Sequence, residues 1–153
     1  MTLEHCPVCD GEPRVLVAIR HPAMRRFTRE LLARDHGCWL ATAIGPAEPL
    51  RHALARWHPD LLVLDAADFP SRCRPVPDRF PTDRVIVVGP EQDRSYRAAA
   101  LTAGAGGWVA RDRIAEDLGA AMRCALGCHH DPCPPEARCG RGAGRSDATS
   151  AAI

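Results

Sequence analysis

The chain has no apolar run long enough to cross a bilayer. Its longest, such as Leu61–Leu64 and Val85–Gly89, fall far short of the roughly 20 residues a spanning helix needs. It has no dominant sign of charge: 20 Lys and Arg stand against 19 Asp and Glu, a formal net charge of +1, so nothing draws the whole molecule to nucleic acid. There is no basic-then-apolar leader at the N-terminus, which makes a cytoplasmic location the expectation. No helix-turn-helix pattern follows the last helical stripe, and the short basic tail of Arg138, Arg141 and Arg145 is thin ground for DNA binding. Nucleic-acid and membrane partners are therefore not expected. No nucleophile–base pair and no phosphate-cradling glycine loop is evident, so the chain is not expected to be an enzyme.

What is present is one domain's worth of alternating periods. At 153 residues, 46% hydrophobic and 25% charged, the chain can bury one core but not two. Arg14–Ile19 (RVLVAI) is a β-branched run, followed by Pro22 and a helical stripe of Met24, Phe27 and Leu31. Cys38–Ala43 reads as a second strand, and Leu50, Ala53, Leu54 and Trp57 mark one face of a helix. Leu61–Asp65 (LLVLD) and Arg84–Gly89 (RVIVVG) are strands apolar on both faces. A helix over Tyr96–Ala103, a strand over Trp108–Ala110 and a last helix turning Ile114, Leu118, Ala121, Met122 and Ala125 inward complete the series.

Apolar strands alternating with amphipathic helices imply a parallel sheet covered on both faces. Five strands with right-handed crossovers give a doubly wound, flavodoxin-like α/β fold in strand order 2-1-3-4-5. Pro70, Pro75, Pro77 and Pro81 break any helical stripe between the third and fourth strands, so the third helix should be shortened or lost. The expected divisions are a Cys-containing segment at 1–12, the α/β domain at 13–127, a Cys/His-rich segment at 128–139, and a disordered tail at 140–153.

In such a sheet, chemistry gathers beyond the carboxyl ends of the strands where their order reverses, here between strands one and three. Strand one ends at Ile19-Arg20 and strand three at Asp65. The pieces RVLVAIRHPAMRR, HPDLLVLD and AGAGGWVARD, in this order and spacing, resemble the receiver domains of bacterial two-component response regulators. The resemblance runs from Arg14 to Ala125. It implies that Asp65 stands at the phosphoacceptor position and that Ala103–Gly107 is a turn of that family. It also exposes four departures. Ile19 and Arg20 occupy the places of two Mg²⁺-holding acids, Gly89 that of a Thr or Ser, and Arg111 that of a lysine. Trp108 fills the aromatic switch position with a ring expected to be less free to rotate inward.

Phosphoryl transfer to a carboxylate needs a cation to offset the repulsion between anions. Arg20 puts a fixed positive charge where that metal would sit, so no Mg²⁺ is expected there. Asp65 is expected to pair with Arg20, Arg111 or both through charge-assisted hydrogen bonds. Asp65 and the arginines forming a pocket for a small anion is a second reading.

The chain has eight cysteines, which in a reducing compartment point to metal or redox chemistry more than to disulfides. Cys6-Pro7-Val8-Cys9 has the spacing of a zinc knuckle, and Cys124, Cys128, His129, His130, Cys133 and Cys139 crowd the other end. The last helix runs antiparallel to the strands, which should bring both clusters to the amino-terminal edge of the sheet. A tetrahedral zinc site from Cys6, Cys9, Cys128 and Cys133 is the first choice, with His129 next. A reversible disulfide, an iron–sulfur cluster and no joint role stay open. Cys38 and Cys73 read as small apolar fillers.

The functional expectation is a non-enzymatic signalling module that is receiver-like but not conventionally phosphorylated. It would act on a protein partner, or by dimerising, through the face of the fourth helix, fifth strand and fifth helix. The alternatives are a sensor of metal, redox state or small ligand and, less favoured, a phosphorylatable regulator in a phosphorelay.

Overall fold

A computed structural model describes residues 12–34, 39–69, 80–90 and 93–128. Apart from Glu12 and Cys128, the two Cys-containing end segments and the tail lie outside the described residues.

The elements alternate: β1 (Arg14–Ala18), α1 (Pro22–Arg34), β2 (Leu40–Ala43), α2 (Leu50–Trp57), β3 (Leu61–Asp65), β4 (Val85–Gly89), α3 (Arg94–Thr102), β5 (Gly107–Ala110) and α4 (Ile114–Ala125). All five strands are parallel, in the order β2-β1-β3-β4-β5. This is the doubly wound sheet expected from the sequence. Single 3-10 turns cover Ala66–Asp68 and Thr82–Arg84. Among the described residues between β3 and β4 they are the only helical pieces; residues 70–79 lie outside the described residues.

The period of two along each strand sends side chains to opposite faces, which divides the core into two layers. Val15, Val17, Leu61, Val63, Ile86, Val88 and Val109 pack with Leu32 of α1 and Ile114, Leu118 and Met122 of α4. Leu16, Ala18, Leu62, Leu64, Val85 and Val87 pack with Leu50, Ala53 and Leu54 of α2 and Ala100 of α3. β3 and β4, central in the sheet, are buried at every position, which is why their sequences are apolar without alternation.

Two helical stripes sit differently from the sequence reading. In α1 the buried residues are Thr28 and Leu32, while Phe27 is 44% exposed. The helix faces the sheet through the positions next to the predicted stripe, with Met24 and Leu31 at its margin. Thr28 can be buried because its hydroxyl donates to the Met24 carbonyl at 2.8 Å. In α2, Leu50, Ala53 and Leu54 are buried, but Trp57 lies at the surface with the Arg56 guanidinium 5.0 Å above its ring.

The amino-terminal edge of the sheet is tied at several points. Asp60, just before β3, accepts from the Arg14 N–H at 2.8 Å and donates its own N–H to the Arg14 carbonyl at 2.8 Å. The Leu40 N–H donates to the Pro13 carbonyl at 3.0 Å. α4 ends at this edge in a Schellman turn: Cys128 N–H donates to the Arg123 carbonyl at 2.9 Å and Gly127 N–H to the Cys124 carbonyl at 3.1 Å. Gly127 takes φ 75°, a left-handed conformation that glycine adopts without a Cβ clash.

Candidate functional site

The carboxyl edge between β1 and β3 gathers a small group of charges. Asp65 ends β3 and is 7% exposed. Its Oδ2 accepts the Arg20 backbone N–H at 2.6 Å. The Arg20 side chain does not reach back to Asp65. It is directed to Asp68, in the 3-10 turn that follows β3. Arg20 Nε lies 2.9 Å and 3.1 Å from the two Asp68 oxygens, and Nη2 lies 2.5 Å from Oδ1. The Asp68 side chain is 4% exposed and that of Arg20 60%. The pair therefore joins a buried carboxylate to a guanidinium that keeps one side in water. Hydrogen bonding and Coulombic attraction from Asp68 raise the Arg20 pKa, with a smaller contribution from Asp65, so the positive charge is permanent at any physiological pH.

The expected ion pair of Asp65 with Arg20 or Arg111 is thus corrected in its partner. Arg20 binds Asp65 through its main chain and Asp68 through its side chain. Arg111 is exposed at the start of the turn after β5, and makes no ion pair with Asp65 among the described residues. The physical reason is length: an N–H at the tip of β1 already meets Asp65, and the long Arg20 side chain overshoots to the next carboxylate. Two residues of the site escaped the sequence reading. One is Asp68, whose only signal is its place three residues beyond Asp65 in DAAD. The other is Arg25, whose Nη1 donates to the Ile19 and Arg20 carbonyls at 3.0 and 3.1 Å. It fixes the turn that presents Arg20.

Ile19 is 2% exposed and lies in the core layer of α1 and α4. Its side chain offers no oxygen to a cation. Asp65 and Asp68 are hard oxygen ligands of the kind Mg²⁺ takes, but the Arg20 guanidinium already holds the second. The residues present do not fit a divalent cation at this edge.

The second half of the site lies on β4 and β5. Val87 is the register partner of Trp108, which makes Gly89 its diagonal neighbour on the same face. A Cβ at Gly89 would collide with the six-membered ring of the Trp108 indole. Trp108 is thus already turned inward over Gly89. Its indole takes the space that a Ser or Thr side chain would need and packs against the α2–α3 core layer beside Phe69 and Phe80. The missing Cβ at Gly89 opens the place that the ring occupies.

Of the cysteine cluster, Cys124 is half-buried in the last turn of α4 and Cys128 is 4% exposed in the core layer with Val15 and Trp39. Cys6, Cys9, His129, His130, Cys133 and Cys139 lie outside the described residues, as do Cys38 and Cys73. Among the described residues no group of three or more His, Cys, Asp or Glu could hold a metal ion.

Solved structures similar to this chain include response regulators. The fold is that of a response-regulator receiver domain. A LuxR-family two-component response regulator from Aurantimonas sp. SI85-9A1 is 20% identical at a TM-score of 0.63, covering 94% of this chain and 100% of that one. The non-phosphorylated receiver domain of the stress response regulator RcsB from Escherichia coli is 18% identical at a TM-score of 0.59, over 71% of this chain and 88% of that one. An atypical orphan response regulator, described as revealing a phosphorylation-independent regulatory mechanism, is 17% identical at a TM-score of 0.53, over 72% of this chain and 95% of that one. No family model and no curated protein matches the sequence. In this fold Asp65 ends the third strand, and Arg20 follows the end of the first. Among the described residues, no helix is long and apolar enough to cross a membrane.

Proposed function

We propose that this chain is a receiver-like signalling module that works through protein–protein contact without phosphorylation of Asp65. The observation that carries this reading is the Arg20–Asp68 ion pair beside Asp65. An incoming phosphoryl group needs a cation that draws its oxygens towards the attacking carboxylate. Here the fixed cation is engaged by Asp68, and Asp65 spends one oxygen on a backbone N–H. The inward Trp108 over Gly89 acts in the same direction. No hydroxyl is present at that position to bind a phosphoryl oxygen, and the indole occupies the space through which a change at the β3 tip would reach β5. The receiver fold of an atypical orphan response regulator with a phosphorylation-independent mechanism is consistent with this.

The contact surface is the face of α3, β5 and α4. α3 is seated by Ala100 alone, while Arg94, Ser95, Tyr96, Arg97, Ala98 and Ala99 are exposed, Tyr96 at 57%. A tyrosine among arginines and bare alanines gives an aromatic anchor with little side-chain entropy to lose around it. Arg111, Asp112 and Arg113 continue the exposed surface beyond β5. The partner is another protein or a second copy of this chain.

The test is to incubate the full chain with acetyl phosphate and Mg²⁺, then record its intact mass and its assembly state by light scattering. The expected result is no phosphoryl adduct and an unchanged assembly state, with association in pull-down or self-association weakened by Tyr96→Ala. Stoichiometric phosphorylation accompanied by a change of assembly would overturn the reading.

A further inference from the structure

Among the described residues, β2 is open on two sides. Ala41 and Ala43 pack into the α1–α4 core layer, so Leu40 and Thr42 point to the other face of the sheet. There α2 packs on β1, and Leu40 is 49% exposed. The outer edge is open too, since β2 pairs with β1 alone. Leu40 donates its N–H to the Pro13 carbonyl at 3.0 Å, and Ile44 to the Val17 carbonyl at 2.9 Å. Alternate residues of a parallel strand address the same neighbour. Leu40, Thr42 and Ile44 thus turn their polar backbone groups to β1, and Ala41 and Ala43 turn theirs outward. The strand, LATA, carries no charge and no proline, the residues that commonly keep other strands off an edge.

An aromatic ring and two guanidinium groups stand beside this shelf. Arg14 is the register partner of Leu40, and its Nη1 donates at 3.4 Å to the carbonyl of Trp57, the last residue of α2. Trp57 is 36% exposed and carries the Arg56 guanidinium 5.0 Å from its ring centroid. Asp60, the acid next to this group, spends its Oδ2 on the Arg14 backbone N–H. From Arg14 to Trp57 the sequence holds eight arginines and three acids, although the whole chain carries only +1. The positive charge is therefore concentrated at the β2 end of the sheet.

From this arrangement we propose that the β2 edge docks an extended acidic segment of a partner protein. The backbone of that segment pairs with Ala41 and Ala43, and its apolar side chains rest on Leu40 and Trp57. Arg14 and Arg56 receive its carboxylates, which a guanidinium can match with two parallel hydrogen bonds. A second copy of this chain is a poorer occupant, because pairing β2 with β2 brings like charges together. A nucleic acid is poorer still, having no peptide backbone to add to the strand. β2 and β5 are the two opposite edges of the sheet, so this surface is independent of the α3–β5–α4 face and leaves it free for another contact.

The experiment uses the full chain and a short fluorescein-labelled peptide of repeated Glu-Glu-Val-Val, whose order puts both kinds of side chain on each face of a strand. Binding is followed by fluorescence anisotropy at neutral pH. Saturable binding is expected, weakened by about tenfold or more in Leu40→Asp and in Arg56→Ala. Arg29→Ala removes an equal charge from the exposed side of α1, on the other face of the sheet, and should change binding little. Methylating the peptide's backbone nitrogens should abolish binding, because strand addition needs those N–H groups. Circular dichroism of each variant checks that a lost signal is not a failure to fold. No saturable binding would overturn the proposal. So would equal binding of the same peptide with lysine for glutamate or of oligothymidine, and so would binding that survives backbone methylation or Leu40→Asp. Equal weakening by Arg29→Ala would reduce the effect to overall charge and overturn it as well. A dimer in light scattering that Leu40→Asp dissociates would give the edge to a second copy and overturn it too.

Discussion

Arg20 serves two carboxylates with two different groups: its backbone N–H caps Asp65 at 2.6 Å, while its guanidinium holds Asp68 through Nε and Nη2. The two partners of the ion pair are unequally buried, 60% exposed for Arg20 and 4% for Asp68, and removing one is not equivalent to removing the other. Arg20→Ala takes the guanidinium from a carboxylate that water barely reaches, whereas Asp68→Asn leaves a guanidinium that can hydrate. Urea denaturation should therefore give a lower midpoint for Arg20→Ala than for Asp68→Asn. Equal midpoints would reduce the pair to a surface contact.

Gly89 and Trp108 form a lock whose parts can be removed separately. Gly89→Ser inserts atoms where the indole lies, and overpacking of this kind costs roughly 1–3 kcal/mol. In a Trp108→Ala background the same substitution has room and should cost much less. A double-mutant cycle by denaturation measures that coupling, and the fluorescence of Trp108 should shift to the red in Gly89→Ser as the ring is pushed outward. Additive costs in the cycle would mean that the two residues do not share this space.

The rotation of α1 away from its predicted stripe is also measurable. Leu32 is 1% exposed and Phe27 44%. Leu32→Ala should cost about 2–5 kcal/mol by opening a cavity, and Phe27→Ala should stay within roughly 0.5 kcal/mol, as surface changes do. Reversed magnitudes would restore the stripe of Met24, Phe27 and Leu31.

α3 is held at its start by Asp93, whose Oδ1 accepts the Ser95 and Tyr96 backbone N–H groups at 2.7 and 3.4 Å. Asp93→Ala should lower stability by about 1 kcal/mol. Because this helix buries little else, amide exchange in α3 should accelerate more than in β4. Uniform acceleration across both would show that the cap acts on the whole domain and not on this face.

The fold was legible because its signals are dense and local. The runs LLVLD and VIVVG read as strands apolar on both faces, and their alternation with amphipathic helices points to the order of crossovers that the sheet has. The site was legible in part. The positions of Asp65, Arg20, Gly89 and Trp108 follow from where strands end, and the structure brings Arg20 to Asp65 and Trp108 to Gly89. The partner of the guanidinium did not follow, because side-chain reach past a strand end depends on a turn that the sequence does not spell out. Asp68 in DAAD looks like one more loop acid until the 3-10 turn buries it. Arg25 was hidden for a similar reason: its work is done on main-chain carbonyls, and residue identity says nothing of those.

Whether the Arg20 guanidinium, held by Asp68, leaves no site for a divalent cation beside Asp65 can be read in a titration of the full chain with Mg²⁺, followed through the backbone amide resonances of Arg20, Asp65 and Asp68. These resonances should stay unmoved in the unaltered chain and shift to saturation in Arg20→Asp, where an acid at the end of β1 joins the other two. Saturable shifts at Asp65 and Asp68 in the unaltered chain would contradict it.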